Sequence, residues 1–538
     1  MEGKIHFVLE AADGFDVFPP AFSVAVKFER FPLDALGKHL RTDFQFRPQS
    51  GGLSGKISVN KAKDSDTLGV RADLKTDQLV YRLSADPNAF APQPIQADLH
   101  NETDWNTRTG EVSIKKSTLT GPVGRFEVSG RFNSDSGEMQ NMRVGISGFS
   151  LESLPNYILN AKDAIPFNLG FSGQSDIEMA LSGTWDHLLF HGNWDLTSTL
   201  LTYGSYFSKS KDVPLNFAFD FLVKEWKILS GDFSSKLENV KVKGTIKGID
   251  FQSGKAQINI ITNKFQINGW DRLLPPLRDY AMEGTVKLLA NFAGNLKKAG
   301  EVQPTVNATI ENVKLIHRQK GTGVQNASAL VDYGSIALKL RQVHFEIKNA
   351  PIELSAIVYN QTGIPIVKGK VTSPQFAPSE LLAALQDMAP VFLPAAWESK
   401  LQHTGKWVEK FFPEEEPVKN LASEFTCKKN QCQLLRLELE AYDGWMSQSG
   451  TADFSASPAV YTLSTELNHL NLGRFAAVLW KDKRVAEGNL FSKMSLAGRG
   501  FGKDFEINRL TGEGTVSVTN GNWHGLNVLE TLAKTGEL

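Results

Sequence analysis

Residues 510–532, which read LTGEGTVSVTNGNWHGLNVLETL, decide the fold of this chain. Their first half alternates and places Val516 and Val518 on one side, which is the period-2 pattern of a half-buried strand. Asn520-Gly521 predicts a two-residue hairpin turn, because both central residues of a type I′ turn need a positive φ. Trp523 would then begin a second short strand. The pattern is architectural and contains no catalytic motif.

The same kind of pattern recurs along the chain. A strand, a short helical excursion and a Gly-led strand follow one another five times, about every hundred residues. Matching apolar residues precede the five excursions: Phe31, Phe149, Phe265, Phe376 and Leu470. Repeats on this scale indicate stacked supersecondary units rather than separate globular domains. Turn residues at about every 8–12 positions between the excursions predict many short antiparallel strands.

The predicted strands carry one apolar and one polar face. A one-sided sheet buries its apolar face against another layer, and a sandwich would do so with a second sheet. The predicted helices are too short to cover so much sheet, and open sheets of more than about ten strands tend to curl or split. An apolar groove along a curled sheet is therefore favoured. Its candidate lining residues are Ile57, Val59, Ile177, Met179, Leu181, Ile258, Ile260, Val286, Leu288, Phe292, Val306, Ile310, Leu463, Leu467, Val516 and Val518.

The two cysteines, Cys427 and Cys432, enclose Lys-Lys-Asn-Gln. If Lys429-Asn430 forms a two-residue hairpin turn, the cysteines face each other at a non-hydrogen-bonded position, close enough for a disulfide. We therefore favour a disulfide over two free thiols. A disulfide fits an oxidising compartment such as the periplasm. Two cysteines without nearby partner ligands are too few for a zinc site.

Composition and motifs argue against several other classes. Lys+Arg number 58 and Asp+Glu 59, which gives a net charge of −1 without a basic tract, so a nucleic-acid partner is not expected. No hydrolase, nucleotide-binding or metalloprotease motif is present, so we expect neither an enzyme nor a cofactor. His187 and His191 lie four apart on a predicted strand, a spacing that favours surface histidines over a metal pair. No apolar run approaches the roughly 18–20 residues that span a bilayer.

The 510–532 stretch resembles the closing signature of the AsmA-like family of bacterial envelope proteins, which is related to TamB and YhdP. The matching phrase is G-x-G-x-x-x-V-x-N-G-x-x-x-G-x-(D/N)-(L/V)-x-x-x-L, beginning at Gly512, with Asn527 where Asp is common. The resemblance implies a periplasmic protein that moves phospholipid between the inner and outer membranes along a hydrophobic groove. It also implies an inner-membrane anchor that this chain lacks, so the chain is expected to be a soluble part of a longer protein. A natively soluble protein is the alternative.

The sequence therefore predicts an all-β protein with a few short helices: an elongated, repeat-built antiparallel sheet that curls into an apolar groove. Residues 1–389 would form the groove, 390–420 a helix-rich segment with an acidic linker, and 421–538 its continuation. The expected partners are phospholipid acyl chains, the inner membrane through the anchor, and outer-membrane components. Two other interpretations stay open: an outer-membrane assembly or scaffold factor that binds β-barrel clients, and an adhesin-like or enzymatic β-solenoid.

Overall fold

The computed structural model of the chain describes residues 4–11, 21–37, 46–83, 93–157, 169–184, 186–225, 227–250, 253–295, 298, 301–359, 364–392, 416–456, 458–480, 486–500 and 510–523. Within them the protein is all-β with a few short helices, as the sequence predicts. Twenty-seven strands belong to one sheet, and three further strands form a small separate sheet.

The elements alternate long strands with short connections. The strands are β1 Lys4–Ala11, β2 Phe22–Pro32, β3 Phe46–Lys61, β4 Thr67–Leu83, β5 Ile95–Asn106, β6 Glu111–Gly121, β7 Gly124–Asn133, β8 Met139–Phe149, β9 Leu169–Gly173, β10 Ser175–Thr184, β11 His187–Asp195, β12 Thr199–Tyr203, β13 Phe207–Lys209, β14 Leu215–Lys224, β15 Lys227–Leu237, β16 Val240–Asp250, β17 Lys255–Thr262, β18 Phe265–Gln266, β19 Tyr280–Asn295, β20 Gln303–His317, β21 Gly323–Tyr333, β22 Ala337–Ile347, β23 Ala350–Tyr359, β24 Ile366–Phe376, β25 Val418–Lys428, β26 Gln431–Ala441, β27 Gly444–Asp453, β28 Val460–Asn471, β29 Ala486–Arg499 and β30 Thr511–Trp523. The helices are α1 Leu33–Gly37, α2 Leu154–Tyr157, α3 Pro378–Phe392 and α4 Leu472–Trp480, with 3₁₀ turns at Trp270–Arg272 and Pro275–Leu277.

The chain forms two compact units. Unit 1 comprises Met1–Asn263 and Asn291–Val302, and unit 2 comprises Lys264–Ala290 and Gln303–Leu538. The division does not coincide with the segment 390–420 that the sequence suggested as a boundary. The strands on either side of that segment, β24 and β25, pair with each other from Ile366↔Lys428 to Phe376↔Val418.

Within each unit, strands pair with their neighbours in the chain as an antiparallel meander. Because neighbouring strands run in opposite directions, the chain returns to the same edge of the sheet after every second strand. In unit 1, α1 follows β2, α2 follows β8 and the small sheet interrupts the path after β11, which puts all three at one edge. In unit 2 the 3₁₀ turns after β18, α3 after β24 and α4 after β28 also share one edge. We call this the helix edge of each unit, and the opposite one the turn edge.

The five excursions that the sequence predicts are all present at these helix edges. The residue that precedes each of them lies at or near the end of a strand and is at least partly buried. Burial is strongest at the last three, where Phe265 is 6%, Phe376 8% and Leu470 0% exposed. These side chains anchor the point at which the chain leaves the sheet.

The main core of unit 2 lies at its helix edge. There α4 packs Leu472 onto the ends of β24 to β29, in a cluster that includes Val418, Leu470 and Ala486. A second cluster places Ala384 of α3, only 1% exposed, against the neighbouring ends of β22 and β23. The helices therefore cover the sheet at one end of its strands, and their burial of apolar area supplies the main stabilisation there.

The Asn520-Gly521 hairpin is the main local prediction that is wrong. β30 runs without a turn from Thr511 to Trp523, and Trp523 ends this strand instead of beginning another. Only Asn520 has a positive φ, of 52°, whereas a type I′ turn needs two such residues. The register with β29 shifts between Glu487 and Asn489, so that Asn520 and Gly521 lie opposite one residue as a β-bulge.

The Lys429-Asn430 turn forms as the sequence predicts, with Lys429 at φ 56°. Cys427 and Cys432 are directly paired across β25 and β26 and form a disulfide, with their Cα atoms 4.0 Å apart. Lys428 and Gln431 are the pair that flanks the turn, and the disulfide joins the next pair along the two strands. It lies at the turn edge of unit 2.

Two parts of the predictions lie outside the described residues. The helix-rich segment is described as far as the end of α3 at Phe392, and 393–415 lie beyond it. The last part of the family-like signature, from residue 524 onward, also falls outside. The described strand β30 contains the Gly-x-Gly and Asn-Gly portions of that signature.

Candidate functional site

One row of residues crosses unit 2 from β20 to β30 without a single polar side chain. Directly paired residues of an antiparallel sheet point to the same face, so the row is contiguous. At about 4.8 Å between strands, it follows the sheet for about 50 Å. We call the face that carries it the apolar face of unit 2. The row, in strand order, is Ala308, Val331, Leu340, Ala356, Gly369, Phe425, Leu434, Gly450, Leu463, Leu496 and Gly512.

A second row lies beside the first, nearer the turn edge. It contains the disulfide, whose sulfur atoms thus belong to the apolar face, and two tyrosines are its only hydroxyl-bearing members. Its residues are Val306, Tyr333, Leu338, Val358, Val367, Cys427, Cys432, Ala452, Tyr461 and Gly498.

Six predicted lining residues, on β20, β28 and β30, fall on this face. Leu463 and Val306 belong to the two rows, and Ile310, Leu467, Val516 and Val518 lie an even number of residues from a row member on the same strands. On β19, Val286 pairs with Phe265 and Leu288 follows at the next alternate position, whereas Phe292 of the same strand belongs to unit 1.

Unit 1 carries an equivalent row from β3 to β14. Its residues are Gly55, Leu74, Leu99, Leu119, Phe126, Ile146, Ile177, Trp194 and Phe217. The indole nitrogen of Trp194 is its one polar side-chain atom, and it donates to Ser175 Oγ at 2.9 Å. This face is the apolar face of unit 1.

The predicted lining residues on β3, β10 and β17 share the apolar face of unit 1. Met179 and Leu181 follow Ile177 at alternate positions on β10, and Ile57 and Val59 follow Gly55 on β3. Ile258 and Ile260 of β17 are connected to the row through β15 and β16, where Phe217 is opposite Ser235 and Ser235 is opposite Val242. The predicted strands are thus brought together into one surface.

The apolar faces are only partly buried. Among the predicted lining residues, Leu467 is buried at 8% exposure because it lies near the helix edge, and Val516 is 63% exposed. The others are half-buried. On unit 1, Trp105 and Leu119 are 41% and 42% exposed. A tightly packed second sheet would bury such side chains, which are instead partly or largely exposed. Part of the apolar area therefore stays accessible to solvent.

Aromatic rings on the apolar faces lie flat over glycines of the adjacent strand. A Cβ at Gly244 would be 2.0 Å from Phe233 Cζ, and one at Gly369 would be 2.4 Å from Phe425 Cζ. Glycine lets the ring cross the neighbouring backbone instead of standing up from the sheet. The result is an apolar surface of low relief. The five directly opposed pairs are Gly192–Phe219, Gly231–Phe221, Gly244–Phe233, Gly369–Phe425 and Gly498–Tyr461.

The opposite face is polar and solvated. Cross-strand ion pairs such as Lys75–Asp98 at 3.7 Å contribute at most about 1 kcal/mol each at such exposed positions. His187 and His191 lie on this face of β11, and His191 contacts Asp220 of β14. No group of three or more His, Cys, Asp or Glu side chains within the described ranges could hold a metal ion.

α3 is fixed to the helix edge through Asp387. Lys320 Nζ and Thr322 Oγ1 both donate to its carboxylate, and Tyr280 Oη donates to its backbone carbonyl at 2.6 Å. Burial raises the pKa of the Asp387 carboxyl, but the hydrogen bonds from Lys320 and Thr322 outweigh it and hold the pKa below its usual value. The helix that follows β24 therefore reaches back to the ends of β19 to β21.

α4 is fixed at its start by a cap and an ion pair. Asn471 Oδ1 accepts the backbone N–H of Arg474 at 3.1 Å, which is an N-cap bond. The Arg474 guanidinium donates to Glu416 at 2.8 Å and to Asp443 at 2.6 Å. The hydrogen bond from Arg474 lowers the pKa of Asp443. These contacts join the β26–β27 turn, the approach to β25 and the helix.

Tyr442, in the β26–β27 turn, provides a test of this packing. It is 2% exposed and contacts the ring of Phe475 in α4 at a centroid distance of 5.3 Å. Burial, with a smaller effect of Glu416, raises the pKa of its phenol from 10.0 to about 12. The unfolded chain then loses this proton before the folded one, so the stability from Tyr442 is complete below about pH 10 and is lost as the pH rises through 12. We expect one tyrosine to ionise late in an ultraviolet absorbance titration, and Tyr442→Phe to remove that phase.

The late phase is assigned to Tyr442 by comparing the titration of the wild type with that of Tyr442→Phe. The comparison is needed because Tyr280 and Tyr461 also have raised pKa values. Both remain in Tyr442→Phe and serve as internal references. A variant titration curve that overlays the wild-type curve in its late part would mean that Tyr442 is not buried in this core.

Sequence reasoning identified part of these faces. It gave the alternating strands but not their register, so Leu99, Leu119 and Trp194 were not singled out although they continue the row of Ile177. The glycine–aromatic pairs were also missed, since each joins two strands. The detectable signal was the presence of glycine at apolar-face positions of otherwise regular strands, such as Gly369 in β24.

Helices of the described ranges are all too short or too polar to cross a bilayer. Comparison of the chain with family models, with curated proteins and with solved structures finds no match.

Proposed function

We propose that this chain binds phospholipid acyl chains on the apolar faces of its sheet and passes them between the inner and outer membranes of a bacterial envelope. The observation that carries the proposal is the mostly half-buried row of eleven apolar residues from Ala308 to Gly512. The resemblance of residues 510–532 to the AsmA-like signature supplies the membrane context.

The surface suits a ligand that slides. Transfer of an acyl chain out of water is favourable by about 0.8 kcal/mol per CH₂, so a carrier has to offer apolar contact at every step. A row without polar interruptions offers that contact from strand to strand. Rings that lie flat over glycines, such as Phe425 over Gly369, do not stand up from the sheet as barriers to a sliding chain. No side chain has to act as an acid, base or nucleophile.

The disulfide supports a periplasmic location. Cys427 and Cys432 are bonded across neighbouring strands, and such bonds persist in oxidising compartments such as the bacterial periplasm. The bridge replaces two thiols in the apolar row with a cross-link between the strands.

The test is lipid extraction from the full chain, purified without detergent, followed by mass spectrometry. We expect phospholipid at or above one molecule per protein, because a face with Trp105 and Leu119 each about two-fifths exposed would otherwise present its apolar area to water. The protein after delipidation with an apolar resin is the matched control, and it should take phospholipid up again from vesicles. A stable protein that is lipid-free on isolation and takes up none would overturn the proposal and favour the scaffold function with β-barrel clients.

A further inference from the structure

The small sheet of unit 1 is a projection that the lipid-carrying face does not require. β12 and β13 form a hairpin inserted between β11 and β14, and β9 pairs with β12 on its other side. It lies at the helix edge, since β11 ends there. Tyr203 lies four residue steps after Thr199, which at about 3.3 Å per step puts the tip about 13 Å from the base.

The tip of the hairpin displays two exposed tyrosines. Tyr203 is 50% and Tyr206 68% exposed, and they are the most exposed aromatic side chains of the described ranges. They enclose Gly204 and Ser205 in a tight turn, where the Tyr206 N–H donates to the Tyr203 carbonyl at 3.1 Å. From residue 199 to 211 the sequence contains no Asp or Glu. The tip is therefore amphipathic and carries no negative charge.

The base of the hairpin is held by a buried lysine. Lys209 is 0% exposed, and its Nζ donates to the backbone carbonyls of Leu196 at 2.9 Å, Thr197 at 3.0 Å and Thr199 at 2.8 Å. A fourth carbonyl, that of Ser210, lies at 3.2 Å. A buried ammonium is costly unless its donors are satisfied, and here the strand that starts the hairpin and the segment that ends β11 satisfy them. The hairpin thus leaves the sheet as a fixed finger rather than as a loose loop.

We propose that this hairpin is a membrane-docking finger whose two tyrosines insert at the headgroup level of a lipid bilayer. Tyrosine is enriched at membrane interfaces because its ring is apolar and its hydroxyl can stay hydrated. The absence of carboxylates removes repulsion from anionic headgroups, and the neutral tip makes the contact insensitive to salt. The proposal goes beyond lipid carriage, because it assigns the contact with the bilayer to residues outside the apolar faces.

The first experiment is sedimentation of the full chain with phosphatidylcholine vesicles, with and without anionic lipid. Tyr203→Ser/Tyr206→Ser is expected to weaken the partition by about tenfold or more, as the loss of two interfacial rings predicts. The control is Ile336→Ser, which removes an apolar side chain that is 77% exposed in the β21–β22 turn and should leave binding unchanged. Equal binding by the double variant, or binding that disappears in moderate salt, would overturn the proposal.

The second experiment locates the contact. The two cysteines are disulfide-bonded, so Ser205→Cys introduces a single free thiol at the tip for an environment-sensitive fluorophore. Ser136→Cys does the same in the β7–β8 turn, at the turn edge of the same unit. Vesicles should shift the emission of the label at 205 to the blue and leave the label at 136 unchanged. Equal responses at both sites, or a response at 205 only after a membrane protein is added, would contradict the proposal.

The same variants separate this inference from the proposed function. Lipid extracted from Tyr203→Ser/Tyr206→Ser should equal that from the wild type, because the apolar faces are intact. Lipid-loaded protein that binds vesicles through other residues would refute the docking finger alone. Lipid-free protein that still docks through the tyrosines would refute the lipid-carrying function alone.

Discussion

Leu463→Arg is expected to reduce the phospholipid that the protein retains by about tenfold or more. Leu463 is the fourth residue of β28 and lies opposite Gly450 and Leu496 in the eleven-residue row of unit 2. A guanidinium on a lipid-contacting strand face costs about 2–4 kcal/mol at mid-depth, and 1.4 kcal/mol corresponds to a factor of ten in affinity. The charge can stay hydrated because the residue is only half-buried, so the fold should tolerate it.

The next residue along β28 provides the matched control. Ser464 is exposed on the polar face, between Ser449 and Ser495. Ser464→Arg adds the same charge and volume to the same strand and should change retained lipid by less than twofold. Lipid is measured by extraction and mass spectrometry, and circular dichroism verifies the β content of both variants. Similar lipid retention by both would show that the apolar row does not hold the ligand.

Leu470→Ala is expected to destabilise unit 2 by about 2–5 kcal/mol, the range for truncation of a fully buried leucine that leaves a cavity. Leu470 is 0% exposed and belongs to the helix-edge cluster with Val418, Leu472 and Ala486. Hydrogen exchange should accelerate most in α4 and in the adjoining ends of β28 and β29. Denaturant unfolding provides the free energy of unfolding where the transition is cooperative.

Leu463→Ala is the control for this prediction because it makes the same truncation seven residues earlier in β28, on the half-buried part of the apolar face. It should cost about 1 kcal/mol or less, since solvent already reaches the side chain. Similar costs at the two positions would mean that a covering layer buries the middle of the sheet as deeply as its helix edge.

Local patterns in the sequence were sufficient to predict the strands and helices but not how the strands align with one another. Alternation predicted the strands, and apolar residues such as Phe376 marked the excursions, because both depend on residues close in the chain. The Cys427–Cys432 bridge was predictable for the same reason, since its geometry follows from one two-residue turn. The register of the rows was not, because it depends on bulges that shift the pairing within a strand, as between Glu487 and Asn489.

Two features show where local reasoning fails for physical reasons. Asn520-Gly521 carries the residues of a tight turn, but the long partner strand β29 offers hydrogen bonds on both sides of it, so one left-handed residue is absorbed as a bulge. The small sheet around Lys209 combines β9 with a hairpin that lies after two intervening strands. Its buried ammonium has no signature in the sequence, because its acceptors are backbone carbonyls.

The meander order of the strands also bears on how the chain reaches its folded state. Most strands of the large sheet pair with the strands just before and just after them in the chain, so little loop-closure entropy has to be overcome at most steps. Folding can then proceed by addition of one strand at a time onto an existing edge, in the manner of a zipper. A polypeptide that emerges gradually from a ribosome or a translocation channel can pair most of its strands as they appear, and the time during which its apolar segments stay unpaired and prone to aggregation remains short.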